Sequence, residues 1–166
     1  MSRETVYDAL CVADYFIRKA LPAGLDPLQV MKLSYIAHGF TLALKDKPLI
    51  DDDVEAWQFG PVIRRIYNKL PGGARKITQP LLDAPAEIEG ADKAILDGVF
   101  NKYGSRSGLA LSSLTHSKGS PWAKTWQAYG KNAVIPQELI ERHYKNVLRR
   151  FEQEKAEGRQ YAPSAL

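Results

Sequence analysis

Val54-Glu55-Ala56-Trp57-Gln58-Phe59, followed by Gly60-Pro61-Val62-Ile63, places a strand, a stop and a helix start in immediate succession. Alternation puts Val54 and Ala56 on one face of the strand and Trp57 and Phe59 on the other. A strand that is apolar on both faces needs cover on both sides. Gly60-Pro61 ends it, and proline is tolerated in the first turn of a helix, where its missing N–H would be unpaired anyway. The pattern therefore predicts a helix over 62–70, stopped by Pro71-Gly72-Gly73. On the other side, Leu49-Ile50 is the expected partner strand, joined through a turn at Asp51-Asp52-Asp53.

Outward from this insert the periodicity is helical. Asp26-Pro27 combines an N-cap with proline at the first helical position. The helix it opens should reach about residue 44, with Leu28, Met31, Tyr35, Ile36, Gly39, Phe40 and Ala43 forming a stripe wide enough for near-complete burial. Gly39 costs about 1 kcal/mol against alanine in a helix, which is best explained by close approach of another element. Residues 5–21 read as an amphipathic helix ended by Pro22-Ala23-Gly24. Residues 77–89 read as extended loop. Further helices are predicted over 90–103, with Gly104 as C-cap, over 109–115, over 122–129 behind Ser120-Pro121, and from Ile135-Pro136 onward along Leu139, Ile140, His143, Tyr144, Val147, Leu148 and Phe151. The expectation is mainly α: a single domain over 1–157, six or seven helices with a small antiparallel β insert, then a flexible tail over 158–166.

The composition excludes several classes. With 45% hydrophobic and 25% charged residues among 166, the chain has the balance of an ordinary globular protein and enough length for a core. A single cysteine, Cys11, rules out an intramolecular disulfide framework. No apolar run approaches the roughly 18 residues that would cross a bilayer, and Met1-Ser2-Arg3-Glu4-Thr5 lacks the plan of a signal peptide. A cytoplasmic location is expected, with no membrane partner.

Charge is distributed unevenly on a net +4. No acid lies between Glu55 and Asp83, where Arg64, Arg65, Lys69, Arg75 and Lys76 fall. None lies between Asp97 and Glu138 either, where Lys102, Arg106, Lys118, Lys124 and Lys131 fall. Folded onto one side, these stretches would attract an acidic protein or a nucleic-acid backbone; otherwise they are solvated faces.

Catalytic patterns are missing: no phosphate-binding glycine loop, no His-Glu-x-x-His and no nucleophile elbow. His38, His116 and His143 have no partner at metal-ligand spacing, so no metal or other cofactor is expected. Cys11 reads as a structural thiol, the aspartate triplet as turn chemistry, and His38 as a satisfied core histidine. His116, before Ser117-Lys118-Gly119-Ser120-Pro121-Trp122, could be a structural anchor or a ligand residue. Trp57 reads as a core anchor. Trp122 and Trp126, one helical turn apart among Lys118, Lys124 and Lys131, suit either the core or a partner contact.

A family resemblance spans most of residues 5–130, with Val12-Ala13-Asp14-Tyr15-Phe16-Ile17 and Lys47-Pro48-Leu49-Ile50 among the stretches that carry it. Lys32-Leu33-Ser34-Tyr35-Ile36-Ala37-His38-Gly39-Phe40-Thr41-Leu42-Ala43-Leu44, then Glu55-Ala56-Trp57-Gln58-Phe59-Gly60-Pro61-Val62-Ile63, then Leu114-Thr115-His116 with Ser120-Pro121-Trp122, resemble the Panacea domain family, which includes the SocA-like antitoxins and phage-associated proteins. Its family-patterned positions here are Tyr35, His38, Trp57, Gly60, Pro61, His116, Pro121 and Trp122. The resemblance implies a non-catalytic antitoxin that neutralises, by direct contact, a protein toxin encoded by a neighbouring gene. It also brings in delivery of a toxin to a Clp-type protease, known for one member. For the contact surface, the basic stretches and the tryptophan pair nominate Arg64, Arg65, Lys69, His116, Trp122 and Lys124. A nucleic-acid-binding regulator of a mobile element is the alternative, weakened because no helix carries a dense basic face.

Overall fold

A computed structural model describes residues 5–158. Seven helices and one two-stranded sheet follow in the order α1 (Ala9–Ala20), α2 (Pro27–Lys45), β1 (Glu55–Trp57), β2 (Gly60–Val62), α3 (Arg64–Tyr67), α4 (Gly90–Tyr103), α5 (Gly108–Thr115), α6 (Pro121–Tyr129) and α7 (Gln137–Ala156). The mainly α architecture with a small antiparallel insert is the one predicted. Of the expected tail over 158–166, everything after Gly158 lies outside the described residues. Among the described residues, no helix is long and apolar enough to cross a membrane.

α2 is the central element. Asp26 caps it through the Gln29 N–H at 2.8 Å, and the Gln29 side chain returns a bond to the Asp26 N–H at 2.9 Å. That reciprocal pair satisfies two donors left open by the helix start. From Gln29 to Leu42 every residue is buried, because α1, α4, α5, α7 and β2 all pack around it. Gly39 makes this possible on the α7 side. A Cβ there would lie 2.2 Å from Tyr144 Cδ2, and the Tyr144 ring meets Phe40 edge-on with centroids 4.8 Å apart. Gly39→Ala is therefore expected to lose about 3 kcal/mol from overpacking, against the gain of about 1 kcal/mol in helix propensity. Urea unfolding with an unchanged m-value would measure it; a neutral substitution would contradict the contact.

The β insert departs from the sequence expectation. Leu49-Ile50 does not pair with β1; Ile50 instead bridges Tyr7 in parallel, and the Tyr7 N–H donates to Leu49 O at 2.9 Å. The partner of β1 is β2, in the register Glu55↔Val62, Ala56↔Pro61 and Trp57↔Gly60. Gln58 and Phe59 form the turn, so Phe59 stands 67% exposed instead of being covered. Pro61 is thus a strand residue, and the following helix shortens to Arg64–Tyr67. The reason lies on the far edge of β1. Ala56 donates to Ala133 O at 2.8 Å and accepts from the Asn132 N–H at 2.7 Å. With both backbone groups of Ala56 engaged there, the residue opposite it in β2 needs no N–H, and proline fits.

Two buried carboxylates tie the long connections to the core. Asp14, beside Arg18 at 2.6 Å, accepts from the N–H groups of Leu81 and Leu82 at 2.8 and 3.1 Å. Asp92, fully buried, accepts from Tyr7 Oη at 2.9 Å and from Lys45 Nζ at 2.7 Å, with Lys47 Nζ at 3.4 Å.

Candidate functional site

The hairpin is held by three side chains. Trp122 Nε1 on α6 donates to Trp57 O at 2.6 Å. Ser112 Oγ on α5 donates to Phe59 O at 2.7 Å. Lys32 Nζ on α2 donates to Pro61 O at 2.8 Å. Alternate carbonyls of one short segment are thus fixed from three different helices. The Thr-His and Pro-Trp elements supply the support. Thr115 Oγ1 donates to Leu111 O at 2.9 Å, and the His116 ring bonds Ser112 O through Nδ1. His116 also packs edge-on against Trp122 with centroids 5.3 Å apart, and Trp122 stacks on Trp126 at 5.1 Å. Ser120 caps α6 by accepting from the Ala123 N–H at 3.1 Å, and Pro121 is buried at the first helical position.

In front of the hairpin lies a cleft of about 680 Å³. It is formed by the start of α2 (Leu28, Met31, Lys32), the hairpin (Trp57, Phe59, Val62), α3 (Arg64, Tyr67), the 70–73 turn and Lys131-Asn132. Among the described residues, no Asp or Glu lines it. Trp57 and Tyr67 meet edge-on at 4.7 Å, and Phe59 and Tyr67 present exposed rings at 67% and 53%. The Arg64 guanidinium lies 5.2 Å from the Trp57 ring centroid and makes a two-point pair with Glu55 at 2.9 and 2.8 Å.

Lys32 is the unusual group at this cleft. It is 1% exposed, and burial pushes its amine down to about 7. No carboxylate of the described residues pairs with it. Gly60, at φ +116, gives it room: a Cβ there would lie 3.0 Å from Lys32 Nζ.

The residues nominated from sequence separate in space. Arg64 lines the cleft. Arg65 points elsewhere, into a two-point pair with Asp8 at 2.7 and 2.6 Å. Lys69 and Lys124 are exposed and do not line the cleft. His116 and Trp122 stand behind the hairpin as its support. Tyr35 is buried against Tyr144, and its hydroxyl is a buried group without a hydrogen-bond partner among the described residues. His38 is 2% exposed and accepts from the Leu49 N–H through Nδ1 at 3.3 Å; burial pushes it down to about 4, so it is neutral at physiological pH. Cys11 is half-buried, and burial, with the Asp8 and Asp14 charges, pushes its thiol up. Sequence reasoning passed over Lys32, Phe59 and Tyr67. A lysine inside the apolar run from Leu28 to Phe40 was the available signal for the first of them.

The family model for the SocA-like antitoxin, Panacea domain, matches residues 30–123, more than half of the chain. The chain belongs to this family. The Panacea match runs from α2 into the start of α6, so it contains the hairpin and its three supports. Antitoxin SocA of Caulobacter vibrioides (strain NA1000 / CB15N) is 29% identical over 155 residues, covering 86% of this Panacea-domain chain and 82% of that protein. No solved structure matches the chain. Membership in the Panacea family supports an antitoxin role.

Proposed function

We propose that this protein neutralises a protein toxin, encoded by a neighbouring gene, by binding it directly through the hairpin cleft. The observation that carries this reading is the gathering of Trp57, Phe59, Tyr67 and Arg64 on one face, two of the rings largely exposed. Aromatic residues and arginine dominate the energetics of specific interfaces, and a stable one buries roughly 1,200–2,000 Å² in total. Covering the toxin's active site or substrate channel is then sufficient for neutralisation, with no chemistry required of the antitoxin. The nucleic-acid alternative draws less support, since Arg64 and Arg65 already hold carboxylates.

The neighbouring gene product should be toxic alone, be rescued by co-expression with this chain and co-purify with it. Phe59→Asp combined with Tyr67→Asp should abolish rescue and raise the Kd at least about a hundredfold. Both rings are largely exposed, so the loss of stability should not exceed that of the Tyr67–Trp57 edge contact, about 0.5–1.5 kcal/mol. A harmless neighbour, or a double variant that still rescues, contradicts the proposal.

A further inference from the structure

The cleft carries a charge imbalance that ion pairs among the described residues leave unmatched. Among the described residues three cations line it, Lys32, Arg64 and Lys131, and no acid does. Arg64 is already matched by Glu55. Among the described residues, neither Lys32 nor Lys131 has a carboxylate within ion-pair distance. Lys131 is exposed at the rim, whereas Lys32 is buried with one bond to a neutral carbonyl. Burying an amine without a counter-charge is unfavourable, and an anion brought by a partner would relieve it. The remaining walls are apolar, from Leu28, Met31, Trp57, Val62 and Leu70.

We infer that the cleft takes an extended segment of the toxin in which an apolar or aromatic side chain stands next to a carboxylate, with Lys32 and Lys131 supplying the counter-charge. The inference rests on the direct-binding reading and names what that site recognises. At about 680 Å³ the cleft is in the roughly 300–1,000 Å³ range of sites that enclose small-molecule-sized groups, so it fits a short segment and not a whole domain. Recognition is through side chains. Pro61 has no N–H, and its carbonyl is held by Lys32, so β2 offers poor pairing for an added strand. An apolar wall also disfavours a nucleic-acid backbone, whose phosphates stay hydrated.

The test uses the intact chain, the neighbouring gene product and overlapping synthetic peptides that cover its sequence, read by fluorescence anisotropy. One peptide combining an apolar residue with Asp or Glu should bind, and amidation of that acid to Asn or Gln should weaken it at least about tenfold. Lys32→Met and Lys131→Glu should each weaken both that peptide and the whole toxin about tenfold or more. Lys32→Met removes an uncompensated buried amine, so it should fold at least as well as the parent, and a thermal melt checks this. Unchanged binding by both variants, or equal binding of the amidated peptide, overturns the inference while whole-toxin binding leaves the direct-binding reading intact. A toxin that does not bind the parent chain sinks both. Binding of a duplex of the gene's own upstream DNA, lost in the same two variants, would assign the cleft to nucleic acid and overturn it as well.

Discussion

Asp92→Ala is expected to lose about 3–5 kcal/mol of folding stability, the range for breaking a buried ion pair from one side. Asp92 receives Tyr7 from the segment before α1, Lys45 from the end of α2 and Lys47 from the turn after it. Removing the carboxylate leaves Lys47, itself 5% exposed, with an unmatched ammonium. Burial alone would push the Asp92 carboxyl up, but the Lys45 and Tyr7 hydrogen bonds and the Lys47 charge outweigh it and hold it below its ordinary value. The sign of the pH effect follows. A carboxyl lowered on folding contributes stability above its unfolded value of 3.8, and that contribution is lost as pH falls through the lower, folded value. Urea unfolding of the parent and the variant at neutral and acid pH should therefore show a gap that narrows with acidification. A gap below about 1 kcal/mol at neutral pH would contradict the buried network.

Lys32→Met is expected to act in the opposite direction, stabilising the chain by about 2 kcal/mol at pH 7. Burial lowers the amine from 10.5 to about 7. Each tenfold change in proton affinity is about 1.4 kcal/mol, so the penalty near pH 7 is about 4 kcal/mol. Loss of the bond to Pro61 O costs back about 1–3 kcal/mol. Because the folded state holds its proton less tightly than the unfolded one, the penalty is complete below about 7 and vanishes as pH rises toward 10.5. The advantage of the methionine variant should shrink over that window and then reverse. A pH-independent difference between the two proteins would show that Lys32 keeps its ordinary proton affinity. A more stable variant that neutralises less well would show that this residue is retained at a cost to the fold.

Much of the framework is legible in the residues themselves. Asp26-Pro27, Ser120-Pro121 and Gly104 marked helix boundaries to within a residue or two, because caps and proline starts act locally. Gly39 was expected to admit a neighbour, and Tyr144 is that neighbour. The errors fall on residues 5–8, where Tyr7 pairs with the Leu49-Ile50 segment and Asp8 caps α1 so that the helix starts only at Ala9, and on Leu49-Ile50 and Pro61. Two short apolar runs beside a turn suggest a hairpin between them, and nothing local shows that residues 132–135, far along the chain, take the other edge of β1. The basic stretches were legible as charge but not as surface. Arg64 and Arg65, adjacent in sequence, go to different carboxylates, Glu55 and Asp8.

By itself, the order of residues determined the helical architecture, the burial of α2 and the family pattern, since each depends on spacing within a few turns of one segment. Only the tertiary structure decided that Trp122, Ser112 and Lys32 converge on alternate carbonyls of the hairpin, and that the cleft in front of it holds cations without acids. Those facts depend on which distant segments pack together. Side-chain hydrogen bonds reach only about 3 Å, so partners tens of residues apart become neighbours only once the core has closed around α2.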